Sequence, residues 1–292
     1  MSGAIAVVGS VNLDIVIGVE RHPAPGETVL GGDRTDLPGG KGANQAVAAA
    51  RLGNEVALVG RVGADDAGRG LRAGLEDEGV GVAHLRSDPD APSGIALIAV
   101  APDGENTIIV SPGANARVGA DDVAAAAKVL AGAAVTLVQL EIPEVAVRAA
   151  ARAAGGTLVL NPAPARALDA ALLARADVLV PNRGELELLG GPGDPAAVAR
   201  SLPGPGAVVV ALGSEGALVV EGERVERVAA HDVEVVDTTG AGDTFCGGLA
   251  DALARGATIV EAARWAVAAA ALSVTRPGAQ GGMPTRAAVR QL

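Results

Sequence analysis

The chain has 292 residues, 49% hydrophobic content and a formal net charge of −11. That length supports one large core or two small ones, and the acidity argues against a general surface for nucleic acid or other polyanions. One Phe, one Trp and no Tyr leave no platform for stacking bases, the single Cys246 permits no internal disulfide, and His22, His84 and His231 have no ligand-like spacing.

The opening Met1-Ser2-Gly3-Ala4-Ile5 has no basic region or long apolar run, so no secretory leader is expected. A strand is predicted at 5–8. Residues 11–38 then alternate as a strand does (Ile15, Ile17, Val19) with no helix between. A helix follows at 42–52, a strand at 56–59 and a helix at 67–78. Residues 93–111 alternate again (Ile95, Leu97, Ala99), with a turn at Pro102-Asp103-Gly104-Glu105 before 107–110. These two helix-free regions predict a small antiparallel sheet apart from the main body, as a lid or an oligomer interface; ordinary edge strands are the alternative. Beyond them come a helix at 121–130, a strand at 135–138, a helix at 144–154 and strands at 158–160, 178–180 and 208–212. Strands of near-continuous Val, Leu and Ile suit burial on both faces. Their alternation with helices predicts an α/β protein with a mostly parallel sheet. The Ala-rich run at 265–272 is too short to span a bilayer, and a soluble cytoplasmic protein is expected.

Two glycine-rich segments stand out. Gly39-Gly40-Lys41-Gly42-Ala43-Asn44 opens the helix at 42–52. Its glycines allow close backbone approach, helix-start amides favour anionic or hydroxyl oxygens, and Lys41 and Asn44 add donors. It is not a P-loop, because Gly42 follows Lys41. A tight turn capping a core helix is the alternative. The second segment, Asp237-Thr238-Thr239-Gly240-Ala241-Gly242-Asp243-Thr244-Phe245, precedes a helix marked by Phe245, Leu249 and Leu253 and stopped at Gly256. Asp243 is either that helix's N-cap or a group presented beside free amides; a cap alone does not need Gly240 and Gly242 together. Free amides and the helix dipole make an anion hole, and a carboxylate beside it suits phosphoryl transfer, where a hydroxyl loses its proton as it attacks. Asn182 and Glu185, spaced Asn-x-x-Glu after a strand, fit a hydrated Mg2+ or, equally, a helix start with an acidic first turn.

Together these segments resemble the ribokinase-like (PfkB) carbohydrate kinases, from Val8-Gly9-Ser10-Val11-Asn12-Leu13-Asp14 to Gly278-Ala279-Gln280. Both glycine-rich signatures match in content, order and separation. Pro25-Gly26-Glu27-Thr28, Gln139-Leu140-Glu141, Asn161-Pro162-Ala163-Pro164-Ala165 and the segment 274–280 are similar to the members that phosphorylate ribose. The resemblance implies a three-layer sandwich whose mostly parallel central sheet carries a small β-sheet lid. Residues 1–10, 39–92 and 112–292 would form the core and 11–38 and 93–111 the lid, through which two copies would pair as a homodimer. It implies transfer of a phosphoryl group from ATP to O5 of D-ribose. Asn12, Asp14, Gly40, Lys41, Asn44 and Glu141 would bind the sugar. Asp243 would be the base and Gly240, Ala241 and Gly242 the anion hole. Asn182 and Glu185 would organise phosphate and hydrated Mg2+, while Ala211, Gly213, Ser214, Gly216, Gly242 and Val267 would line the nucleotide. Asp237, Thr239, Ser273, Arg276, Gly278 and Gln280 match the loops that hold an activating K+, several through backbone carbonyls. Ala211 stands where relatives often carry Thr, and Val267 where a polar residue often flanks adenine. The buried-thiol reading of Cys246 is a packing one.

The donors and acceptors of Asn12, Asp14, Lys41, Asn44 and Glu141 suit a polyol and would leave buried groups unpaired against an apolar substrate. Fructose or a nucleoside such as adenosine is the alternative acceptor, and a sugar or nucleotide sensor the non-catalytic alternative. No Gly-x-Gly-x-x-Gly follows the first strand, which sets aside a dinucleotide-dependent oxidoreductase.

Overall fold

A computed structural model of the chain describes residues 3–292; the first two residues of the stretch read for a leader lie outside them. The strands are β1 (Ile5–Val8), β2 (Asn12–Val19), β3 (Gly31–Gly39), β4 (Val56–Gly63), β5 (Val80–Asp88), β6 (Gly94–Val100), β7 (Asn106–Ser111), β8 (Val135–Val138), β9 (Thr157–Leu160), β10 (Val178–Leu179), β11 (Ala207–Ala211), β12 (Ala217–Glu221) and β13 (Arg224–Val228). The helices are α1 (Lys41–Arg51), α2 (Asp66–Asp77), α3 (Ala120–Ala125), α4 (Ala127–Gly132), α5 (Glu144–Ala153), α6 (Ala170–Leu173), α7 (Arg183–Gly190), α8 (Pro195–Ser201), α9 (Ala241–Ala254), α10 (Ile259–Ser273) and α11 (Arg286–Val289).

Nine strands form the main sheet in the order β13-β12-β11-β10-β9-β8-β1-β4-β5. It is parallel from β5 to β11, and the β11–β12 and β12–β13 pairs at the other edge run antiparallel. Period-two alternation sends Ile5 and Val7 to one face, where they pack with Val47 of α1, Leu71 of α2, Leu249 of α9 and Ala263 of α10. Ala6 and Val8 face the other side, against Val123 of α3, Val147 of α5, Leu186 of α7 and Val198 of α8. This is the three-layer α/β architecture expected from the sequence. The helix expected over 121–130 is divided at Ala126 into α3 and α4. The edge strand β5 was not among the predicted strands: its outer face is solvated and carries polar residues among its apolar ones.

The remaining four strands form a separate sheet in the order β3-β2-β6-β7. The expectation of an antiparallel sheet is corrected here, because the central pair β2–β6 is parallel. Both strands leave the core at adjacent points, Asn12 pairing with Gly94, and so set out in the same direction. Each then returns antiparallel, through β3 and β7.

In an open parallel sheet, ligands settle outside the carboxyl ends of the strands. There the starts of α1 and α9 converge. A Cβ on Gly247 of α9 would lie 2.6 Å from the Ala48 side chain and 3.0 Å from the Ala49 nitrogen of α1. Glycine there lets the two helices approach closely enough for Asn44 and Gln45 to reach Asp243.

Candidate active site

Gly240 opens α9 in the left-handed region (φ 74°, ψ 2°), with no side-chain cap. Asp243 is therefore not the N-cap. It sits in the first turn, buried, with its carboxylate turned to α1: Asn44 Nδ2 donates to Oδ2 at 3.0 Å and Gln45 Nε2 to Oδ1 at 3.1 Å. Burial pushes the Asp243 carboxyl up from the ordinary aspartate value, opposed by Lys41 and by the Asn44 and Gln45 donors. Of the amides expected to make the hole, that of Ala241 donates instead to the Thr238 carbonyl at 3.2 Å, and the Thr239 amide just before them donates to Asp237 Oδ1 at 2.8 Å. Gly240, Gly242 and Asp243 keep amides with no protein acceptor among the described residues.

Toward the small sheet, Glu141 receives Ser10 Oγ at 2.5 Å and the Lys41 amide at 3.0 Å. A Cβ on Gly42 would fall 2.5 Å from the Ser10 nitrogen, so glycine is what lets α1 start against the end of β1. Asn12 is buried, and its Oδ1 accepts from Asn115 Nδ2 at 2.7 Å. Asp14 faces the same space from β2, and burial together with the neighbouring Glu141 and Asp243 carboxylates pushes it up to about 7. Burial alone would lower Lys41, but Asp243, Glu141 and Glu185 push it up, so the ammonium is the counter-charge of the cluster.

The state of Asp14 has a measurable consequence. Its ordinary value is 3.8, so between there and about 7 the folded chain holds a proton that the unfolded chain releases. The associated stability is present at acid pH and lost as pH rises through about 7. Asp14→Asn should therefore raise the ligand-free melting temperature more at pH 8 than at pH 5, where only part of that stability has been lost, with about 2–4 °C expected per kcal/mol recovered. Melting curves at the two pH values check this; an equal shift at both would remove the charge argument.

On the other side of Asp243 lies a 510 Å³ cavity lined by Ala211, Gly213, Ser214, Gly216, Gly242 and Val267, with Phe245 among its walls. A smaller 140 Å³ cavity joins Lys41, Asn182, Glu185, Gly240 and Asp243. Ala211, Gly242 and Phe245 line both, so the two adjoin at the start of α9. Asn182 and Glu185 form a reciprocal capping box at α7, Asn182 Oδ1 receiving the Glu185 amide and Glu185 Oε2 the Asn182 amide, each at 2.8 Å. The helix-start reading of this pair thus holds, and Glu185 still faces the cavity. Burial pushes the Glu185 carboxyl up against the opposing pull of the Asn182 amide and Lys41.

A cleft of polar side chains, a buried carboxylate, free amides and a second cavity meet in that order. The model of the pfkB family of carbohydrate kinases matches residues 3–286. The chain belongs to the pfkB family. It is 40% identical to the ribokinase of Bacillus subtilis over 99% of this chain and 98% of that one. It is 39% identical to the ribokinase of Haemophilus influenzae, covering 98% and 97%. Its fold matches the structure of an Arabidopsis thaliana ribokinase complexed with ribose and ATP at a TM-score of 0.89 and 35% identity, covering 100% of this chain and 98% of that one.

The pfkB loops singled out for a monovalent cation meet beside α9. Asp237 receives the Thr239 amide and, at 2.7 Å, the Gly278 amide; these bonds outweigh burial and hold its carboxyl below the usual range. Of the five side chains on these six residues, three are otherwise engaged or exposed. Ser273 Oγ donates to the Ala270 carbonyl at 2.8 Å, Gln280 Nε2 donates to Asn44 Oδ1 at 3.0 Å, and Arg276 is exposed. Asp237 and Thr239 remain as side-chain oxygens at this place, and oxygen donors are the kind that a weakly charged cation takes.

Five buried or half-buried polar residues were given no role from the sequence: Ser10, Asn115, Gln139, Gln45 and Asn161. Ser10, Gln139 and Asn161 stand inside the motifs named above and Gln45 directly after one, but nothing local distinguishes a Gln that touches a catalytic group from one that caps a turn. No helix among the described residues is long and apolar enough to cross a membrane.

Proposed function

We propose that this pfkB kinase transfers the γ-phosphoryl group of ATP to the 5-hydroxyl of D-ribose. The observation that carries the reading is the buried Asp243 carboxylate placed where the polar cleft under the small sheet meets the cavity lined by Ala211, Gly213 and Ser214. Asn12, Asp14, Gly40, Lys41, Asn44 and Glu141 hold the sugar by its several hydroxyls. Asp243 takes the proton of the attacking hydroxyl. The amides of Gly240, Gly242 and Asp243 receive the charge that spreads over the transferred oxygens. Lys41, beside both Asp243 and Glu185, offsets the negative charge that gathers there.

Two cations complete the reading. Mg2+ neutralises the nucleotide phosphates when bound, and Glu185 and Asn182, lining the smaller cavity, are the residues to organise its hydration shell. K+ would be held at Asp237, Thr239, Ser273, Arg276, Gly278 and Gln280, several of them through backbone carbonyls, and would support the loop that carries the free amides. The small sheet, residues 11–38 and 93–111, serves as lid over a core made of the rest. Its exposed Leu97, Ile108, Ile109 and Val110 suit pairing with a second copy, which sedimentation reads directly.

Phosphate transfer measured across ribose, 2-deoxyribose, fructose and adenosine tests the acceptor. Ribose should give the highest kcat/KM, and replacing K+ by Na+ should lower it. Equal or better turnover on fructose or adenosine would sink the ribose assignment, and a flat response to the cation would dismiss the K+ site.

A further inference from the structure

Asp243 is held through a chain of primary amides that begins at a backbone carbonyl. Asn161 Nδ2 donates to the Val180 oxygen at 2.9 Å. That leaves Asn161 Oδ1 facing Gln45, whose Nε2 donates to it at 3.1 Å and to Asp243 Oδ1 at 3.1 Å. Gln45 Oε1 in turn accepts from Gln139 Nε2 at 2.6 Å. Each amide has one donor end and one acceptor end, and a peptide carbonyl cannot donate. The polarity of the whole chain is therefore set at Val180, and Gln45 has only an N–H to offer Asp243.

The far end carries the cost: Gln139 Oε1 is buried without a hydrogen-bond partner. Reversing the chain would set the Asn161 oxygen against the Val180 oxygen and the Gln45 oxygen against Asp243, two repulsions in place of one orphan acceptor. Gln45 is 0% exposed and Gln139 1%, so both lie away from bulk solvent, and the bonds act in a low local dielectric.

We propose that Gln45 is a positioning residue for phosphoryl transfer, oriented by Asn161 and Gln139 so that its N–H pins Oδ1 of Asp243 and keeps the carboxylate ionised and aimed at the sugar hydroxyl. The proposal rests on Asp243 being the base. Other groups face that carboxylate. Lys41 of α1 favours its charge; Glu141 after β8, Asp14 of β2 and Glu185 of α7 oppose it, and Cys246 of α9 is neutral, its thiol raised by burial. With burial also opposing ionisation, Lys41 and the two amide donors are what hold the base charged. Asn44 is oriented the same way, by Gln280, so each donor to Asp243 has its own amide behind it.

The test is steady-state kinetics against pH for the full chain and for Gln45→Met, which keeps the length of the side chain and removes the amide. One hydrogen bond to a charged group corresponds to a loss of kcat of about tenfold or more, with the ribose KM within about threefold. The acid limb of the kcat profile should move to higher pH. Gln139→Leu removes the donor that holds Gln45 Oε1 and should lower kcat in the same direction but by less than Gln45→Met, since both acceptors of the Gln45 N–H stay in place. Combining Gln45→Met with Asp243→Asn should cost no more than Asp243→Asn alone, since Gln45 acts through that carboxylate. Parent-like kcat with an unmoved acid limb in Gln45→Met overturns the proposal, as does a further independent loss in the double variant. If Gln45→Met does not fold, Gln45→Glu keeps the shape and places a second acid on Asp243; the shared proton should displace the acid limb upward, and an unmoved limb is again fatal. Near-normal turnover in Asp243→Asn would instead remove the base on which the proposal rests.

Discussion

Asp243→Asn should lower kcat by about 10²–10⁴ while leaving ribose affinity nearly unchanged. The carboxylate accepts two amide donors, one on each oxygen. Asparagine has the same outline but one acceptor oxygen, so it can keep only one of those bonds and must set its NH2 against the other donor. The attacking hydroxyl then has no group to take its proton. What remains is positioning and the free backbone amides at the start of α9, which the substitution leaves in place and which still favour transfer over the reaction in water. Folding should survive, because burial already disfavours the charged form of Asp243 and the variant removes a buried charge. Ribose binding by calorimetry separates lost chemistry from lost binding, and near-normal turnover would strike Asp243 from its role.

Legibility from the sequence followed burial. Strands covered on both faces, such as Ile5–Val8 and Val135–Val138, read as unbroken apolar runs and were located to the residue. Half-covered strands did not: β5 mixes His84, Arg86 and Ser87 with its apolar residues and resembles a loop in composition. The small sheet was recognised from its alternation, but alternation is the same for parallel and antiparallel pairs, so the parallel β2–β6 junction was invisible. At the site, Asp243 and the glycines before it were conspicuous because a glycine-rich helix start is a local pattern. Gln45, Asn161 and Gln139 come from three separate segments and acquire their role only where those meet. The reciprocal Asn182–Glu185 bonds teach the same lesson from the other side: one four-residue spacing satisfied a helix cap and a cavity wall together.

Gly242→Val should abolish most activity without loss of stability, which separates it from the neighbouring Gly240. Gly240 has φ 74°, and a Cβ there would fall 2.8 Å from the Ala279 Cα, so its substitution strains the backbone and collides with the segment 277–280. A Cβ on Gly242 meets nothing within 4 Å. The protein itself makes no demand for glycine there, and in a helix glycine costs about 0.5–1 kcal/mol relative to alanine. That conformational cost is retained at a position that lines both cavities and whose amide has no protein acceptor. A valine side chain would occupy the space that the transferred phosphoryl group must cross, and the amide behind it would be screened. Removing one such donor elsewhere costs about 10²–10³ in kcat, and blocking the passage should weaken ATP binding as well. Melting temperature should be unchanged or slightly higher. An active Gly242→Val would mean that the phosphoryl group travels by another route, and a destabilised one would mean that Gly242 serves the fold rather than the ligand.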